Sequence, residues 1–197
     1  MSHNALIIFI KNPELGKVKT RLAETVGDEK ALAIYKALMG HTRDIALAVS
    51  TDRLLFYSQK IHPNDNWSPT HFKKYLQSTG DLGTKMKTAF QQAFHDHQKV
   101  VIIGSDCASL TPAIVKVAFQ QLDKHDFVIG PALDGGYYLL GMNQYMPSVF
   151  DGIAWSTDSV LADTKQRIKD LKKEYVLLPA LSDIDYEEDW IKYGWEI

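Results

Sequence analysis

Two hydrophobic patterns alternate along this chain. Short strand-like runs, several of them continuously apolar and β-branched, fall at residues 5–10 (ALIIFI), 54–58, 74–77, 100–103, 127–129, 137–140 and 175–178. Runs of this length, bounded by Gly, Pro, Asn or Asp, predict strands buried on both faces. Between many of them, apolar residues recur at helical spacing. Residues 28–49 predict a helix with Asp28 as N-cap and Leu32, Tyr35, Met39 and Ile45 near one face. Residues 82–95 and 112–122 predict two more, the second opened by Thr111 as cap and Pro112 as first helical residue. A fourth is predicted over 157–172, with Ser156 or Thr157 as its N-cap. Strands alternating with helices imply an α/β fold whose sheet is mostly parallel and covered on both faces. Residues 60–70, rich in Pro, Asn and Asp, read as a surface loop. With no internal repeat, low-complexity tract or linker, a single domain is expected over residues 1–197.

Composition narrows the function classes. The 197 residues are 45% hydrophobic and 23% charged, with a net charge of −2. That balance argues against a general nucleic-acid binder, which needs a basic surface. The single cysteine, Cys107, excludes an internal disulfide and fits a reducing compartment. The apolar runs are too short for a membrane span, and no secretory signal is visible, so a cytoplasmic location is expected.

Charge is local rather than global. The first apolar run leads into Lys11, Gly16, Lys17, Lys19 and Arg21, a flexible basic loop before the helix expected near Asp28. Open α/β sheets hold phosphates in this position, just beyond a strand's carboxyl end. A solvated basic loop is the plainer alternative. The run at 100–103 delivers Gly104-Ser105-Asp106, which places a carboxylate at a second strand end. Such an acid either caps a turn or shares a divalent cation with substrate phosphates. After the run at 127–129 comes Asp134-Gly135-Gly136-Tyr137. It is a hairpin signal, and also a place where a ligand could approach the backbone. Trp155 either packs on the core or stacks on a base or sugar. Asp183 and Asp185 alternate, so both carboxylates could face one side of an extended segment, ahead of a helix start at Glu187–Asp189. His95 and His97, near a helix end, are expected to be exposed. Cys107 reads as a small buried hydrophobe.

Taken together, Lys11-x-Pro13, Gly16-x-Val18-Lys19-Thr20-Arg21-Leu22, Gly80-Asp81-Leu82-Gly83, Gly104-Ser105-Asp106-Cys107, Gly130-Pro131, Asp134-Gly135-Gly136-Tyr137-Tyr138, Trp155-Ser156-Thr157 and Asp183-Ile184-Asp185-x-x-Glu188-Asp189 span nearly the whole chain. The sequence resembles the GT-A-type nucleotide-diphospho-sugar transferase superfamily, and more closely a bacterial family of GT-A glycosyltransferase-like transferases. It is more distantly similar to guanylyltransferases acting on phosphorylated 2-hydroxy acids. Where the closer family usually has Pro and an acid after the cysteine, this chain has Ala108 and Ser109; where it has Thr-Pro, Tyr186 and Glu187 stand.

The resemblance implies a GT-A, Rossmann-like α/β/α sandwich and a nucleotide or nucleotide-sugar substrate. It implies catalytic roles for Lys11, Lys19, Arg21 and Asp106. Substrate contacts are implied for Gly16, Thr20, Asp81, Ser105, Asp134, Gly135, Gly136, Tyr137 and Trp155. A magnesium or manganese ion is implied at Asp106, with Asp183 or Asp185. The leading expectation is metal-dependent glycosyl transfer from a nucleotide-diphospho-sugar. Nucleotidyl transfer with pyrophosphate release, and an inert nucleotide-binding module, are the alternatives.

Overall fold

The computed structural model describes residues 3–197. Its strands are β1 (Asn4–Ile10), β2 (Asp52–Tyr57), β3 (Lys73–Leu76), β4 (Lys99–Ile103), β5 (Phe127–Pro131), β6 (Tyr137–Met142) and β7 (Tyr175–Leu177). Among the described residues they form one seven-stranded sheet in the order β3-β2-β1-β4-β6-β5-β7. All neighbours are parallel except β6, which runs antiparallel to β4 and β5. The Asp134-Gly135-Gly136 signal is thus a hairpin between β5 and β6.

Helices α1 (Thr20–Val26), α2 (Asp28–Leu47), α3 (Leu82–Ala93), α4 (Pro112–Gln121), α5 (Val160–Asp170) and α6 (Glu187–Tyr193) cover the sheet. Alternate residues of β1 feed opposite cores. Leu6, Ile8 and Ile10 pack with Tyr35 and Met39 of α2 and Val115 and Phe119 of α4. Ala5 and Ile7 pack with Met86 and Phe90 of α3 and Ile168 of α5. This two-sided burial is why β1 reads as a continuous apolar run.

Several expectations are corrected. The helix expected from Asp28 is present as α2, but a further helix, α1, precedes it, so Thr20 and Arg21 open α1 instead of lying in the loop. Buried Leu22 anchors that turn, and Gly27, at φ 82°, separates α1 from α2. Gly27, not Asp28, is the N-cap of α2. Helix α5 starts at Val160 behind Ser159, so neither Ser156 nor Thr157 caps it; Ser156 stands at φ 66°, which no helix accommodates. His97 is buried, bonded to Ala93 O at 2.8 Å and Asp52 Oδ2 at 3.0 Å, because the chain turns it back under β2; His95 is exposed. The loop 60–70 lies on the surface but anchors itself through buried Trp67, edge-on to Phe72. Thr111 caps α4 as expected, accepting from Ile114 N–H.

Candidate active site

The sheet order reverses between β1 and β4, since β2 and β3 lie to one side of β1 and β4 to the other. Ligands of open α/β sheets bind beyond the carboxyl ends of strands at such a reversal. Lys11 follows β1 there, and Gly104-Ser105-Asp106 follows β4. Tyr35, rising from α2, ties the two loops together. Its hydroxyl accepts from Lys11 N–H at 2.8 Å, donates to Lys11 O at 3.1 Å, and lies 3.2 Å from Ser105 Oγ.

The basic loop folds inward through one residue. Val18 is buried in the core, so its neighbours diverge: Lys17 points to solvent and pairs with Glu14, while Lys19 points in. Lys19 has the left-handed backbone φ 50°, ψ 45° at the cap of α1, rare for a side chain of this size. Its ammonium lies 2.7 Å from Asp106 Oδ1 and 3.4 Å from Asp185 Oδ1, on a side chain only 6% exposed. Burial opposes its charge, but Asp106 above all, then Asp185 and Asp183, outweigh it and hold the ammonium above the ordinary lysine range. Arg21 is exposed, 3.4 Å from Asp185 Oδ2, with its guanidinium over the Tyr186 ring. Lys11 has no carboxylate partner among the described residues. These residues, with Thr20, line a cleft of about 380 Å3. Gly16 lies at φ 71°, with Asp28 nearby, and shapes the turn that returns the loop to α1.

The second wall comes from the carboxyl-terminal segment. Leu181 N–H donates to Pro131 O, Leu133 N–H to Leu181 O, and Ile184 N–H to Asp106 O. These bonds bring Asp183 beside Asp106 and near Asp134. The Asp183 carboxylate makes no hydrogen bond among the described residues. Burial chiefly, then Asp106, pushes its pKa up to about 7, against the pull of Lys19. Asp185 is instead the partner of Lys19 and Arg21. Cys107 is buried, and burial pushes its thiol up to about 12, leaving it an inert wall of the site.

Asp106 and Asp183 also border a larger cleft of about 530 Å3, with Lys11, Ser58, Gln77 and Asp81 among its lining residues. Asp81 caps α3, accepting from Thr84 N–H at 2.8 Å. Ser105 lines this cleft and is buried, its hydroxyl against that of Tyr35. A third cleft of about 460 Å3 adjoins it through Tyr137, Ser156 and Asp183, and carries Asp134, Gly136 and Trp155. Asp134 spends one oxygen on Gly136 N–H at 2.9 Å. Gly135 serves the turn: at φ 92°, its missing side chain makes room for the Asp158 carbonyl. Tyr137 and Tyr138 point to opposite faces; Tyr138 donates to Pro179 O at 2.9 Å. Trp155 packs on the α3 side of the core, its indole against Gly83.

Two further residues shape the site without having been singled out in the sequence. Buried Asn12 clamps the β1 and β2 loops: its Oδ1 accepts from Ser58 Oγ, Gln59 N–H and Lys60 N–H, and its Nδ2 donates to Lys60 O. Gln77 Nε2 donates to Ile10 O and Phe56 O across three strand ends. Asn-Pro at 12–13 signals only a turn, and nothing local marks Gln77.

A divalent cation fits part of this arrangement. Among the described residues no preformed cluster of three or more His, Cys, Asp or Glu could hold one. The Asp183 carboxylate beside Asp106 nonetheless offers the oxygen chemistry that a magnesium-type ion takes, such an ion using one or two protein carboxylates together with substrate oxygens and water.

The fold is the α/β fold of the nucleotide-diphospho-sugar transferase type, with clefts at its topological switch point. The chain belongs to the DUF2064 family, described as uncharacterized protein conserved in bacteria, whose profile matches residues 41–157. It is similar to a solved protein from Desulfovibrio desulfuricans G20 proposed to be a nucleotide-diphospho-sugar transferase. The two share 35% identity over 94% of this chain and 84% of that one, with a TM-score of 0.87. In fold alone it is similar to the inositol-1-phosphate CTP transferase from T. maritima, at 14% identity, TM-score 0.62, and 94% and 90% coverage of this and that chain. Also similar in fold is the manganese complex of Rv0371c from Mycobacterium tuberculosis H37Rv, at 10% identity, TM-score 0.59 and 98% coverage of both chains. A comparison with curated proteins found no match. No helix among the described residues is long and apolar enough to cross a membrane.

Proposed function

We propose that this protein is a transferase that takes a nucleotide-activated donor, and that the donor is a nucleotide-diphospho-sugar. The observation that carries the reading is the meeting of Lys11, Lys19 and Arg21 with Asp106 and Asp183 at the strand-order reversal. In this reading the nucleoside lies in the 530 Å3 cleft, its phosphates face the basic loop, and the transferred group enters the cleft lined by Asp134, Tyr137 and Trp155. Lys11 and Arg21 orient the phosphates and offset the charge that develops on the leaving diphosphate. Asp106 and Asp183 would hold a magnesium or manganese ion, which when bound neutralises phosphate oxygens. Tyr35 and Asn12 keep the loops in place.

The state of the basic loop favours a diphosphate over a triphosphate. Three of its four cations already face carboxylates: Lys17 on Glu14, Lys19 on Asp106, and Arg21 on Asp185. Nucleotidyl transfer from an NTP is the competing reading, supported by the convergence of all four cations on one cleft. The deciding experiment incubates the protein with NTPs or sugar nucleotides and manganese, and measures pyrophosphate against nucleoside-diphosphate release. Diphosphate release from a sugar nucleotide is expected. Pyrophosphate release from an NTP would replace this reading with nucleotidyl transfer. Absence of nucleotide binding in a thermal-shift screen would remove both.

A further inference from the structure

Lys19 stands where two of the site's roles collide. As a phosphate-loop residue it should face substrate. Instead its ammonium is buried and held by Asp106 at 2.7 Å and Asp185 at 3.4 Å, with Asp183 contributing a third negative charge. Asp106 is also the carboxylate assigned above to a divalent cation. An ammonium and a divalent ion on the same carboxylate oxygen repel one another, and a magnesium-type ion must approach that oxygen to about 2.1 Å. Lys19 holds the carboxylates from a left-handed backbone position with its side chain almost wholly buried, a specific feature of the loop and not the free sampling of a surface lysine.

We propose that Lys19 is a resident counter-cation of Asp106 that keeps the divalent-cation position closed until nucleotide phosphates draw its ammonium away. The inference rests on the reading of the clefts as a nucleotide site. Phosphate oxygens offer the ammonium an alternative anionic partner, and its departure frees Asp106. Cation and nucleotide then each raise the other's affinity by the same factor, as linkage requires. Asp106 stays neutralised in the resting protein, and a lone metal ion does not fill the site.

The test measures free manganese by electron paramagnetic resonance during titration of the protein with Mn2+ alone. Lys19→Met should bind Mn2+ about tenfold more tightly than the parent, within the usual range of coupling between sites. Lys19→Arg, which keeps the charge, should behave like the parent. Adding Asp106→Asn to Lys19→Met should abolish the gain, placing the extra binding at Asp106. Lys19→Gln repeats the measurement if Lys19→Met does not fold, as judged by circular dichroism. In EDTA, Lys19→Met should bind GDP and UDP more weakly than the parent. Equal or weaker Mn2+ binding by folded Lys19→Met or Lys19→Gln overturns the proposal, leaving Lys19 a plain phosphate contact. If neither parent nor variants bind any nucleotide, the functional reading fails instead, and the Mn2+ comparison still decides the role of Lys19.

Discussion

The indole of Trp155 lies directly against Gly83, so close that a methyl group on Gly83 would overlap Nε1. Gly83 sits in the first turn of α3, one residue after the start of the helix that Asp81 caps. The contact locks the segment before α5 to the start of α3, whose Leu82 lines the 530 Å3 cleft. Gly83→Ala should therefore destabilise the protein, although alanine favours a helix by about 1 kcal/mol over glycine. An overpacking cost of about 1–3 kcal/mol outweighs that gain. Chemical denaturation checks it; a stabilised variant would mean that Trp155 moves aside freely.

Asn12 should matter more than its place in a loop suggests. Asn12→Ala removes four side-chain hydrogen bonds and leaves Gln59 N–H and Lys60 O without that partner. A loss of about 1–3 kcal/mol is expected. Because Ser58 lines the main cleft, nucleotide affinity should fall as well. Unchanged affinity in a folded variant would separate the loop clamp from the site.

Asp183 is a liability to the fold in the absence of ligand, since its partly buried carboxylate has no hydrogen bond and faces Asp106. In EDTA-treated protein, Asp183→Asn should raise the melting temperature by about 2–4 °C, the shift that 1 kcal/mol gives in a chain this size. The same variant should lose the metal dependence of nucleotide binding. A lowered melting temperature would identify Asp183 as a structural acceptor.

The two glycines of the β5–β6 hairpin should separate cleanly. Gly135→Ala demands a side chain at φ 92° and drives it into the Asp158 carbonyl, so it should disrupt the fold. Gly136 lacks the positive φ, and a methyl there meets only Asp134 Oδ1 at 3.2 Å. Gly136→Ala should remain folded and, lying on the third cleft, weaken donor binding. Normal donor binding by Gly136→Ala would return the segment to a simple hairpin.

The apolar runs marked β1, β2, β4 and β5 on their own, because a strand buried on both faces must be apolar along its length; the order of the strands in the sheet was not legible in them. The strand-end positions of Lys11 and Asp106 were legible for the same reason: a loop begins where such a run stops. Helix α1 was not, because its seven residues carry little periodic signal and Leu22 is its one buried residue. The burial of His97 was equally hidden, since its partner Asp52 lies 45 residues away. Tertiary structure alone decided that Lys19 closes on Asp106 and Asp185, that Asp183 is left without a partner, and that Asn12 and Gln77 hold the cleft. Each of these depends on groups brought together across dozens of residues by sheet order and loop bonds, and hydrophobic periodicity carries no information about such pairings.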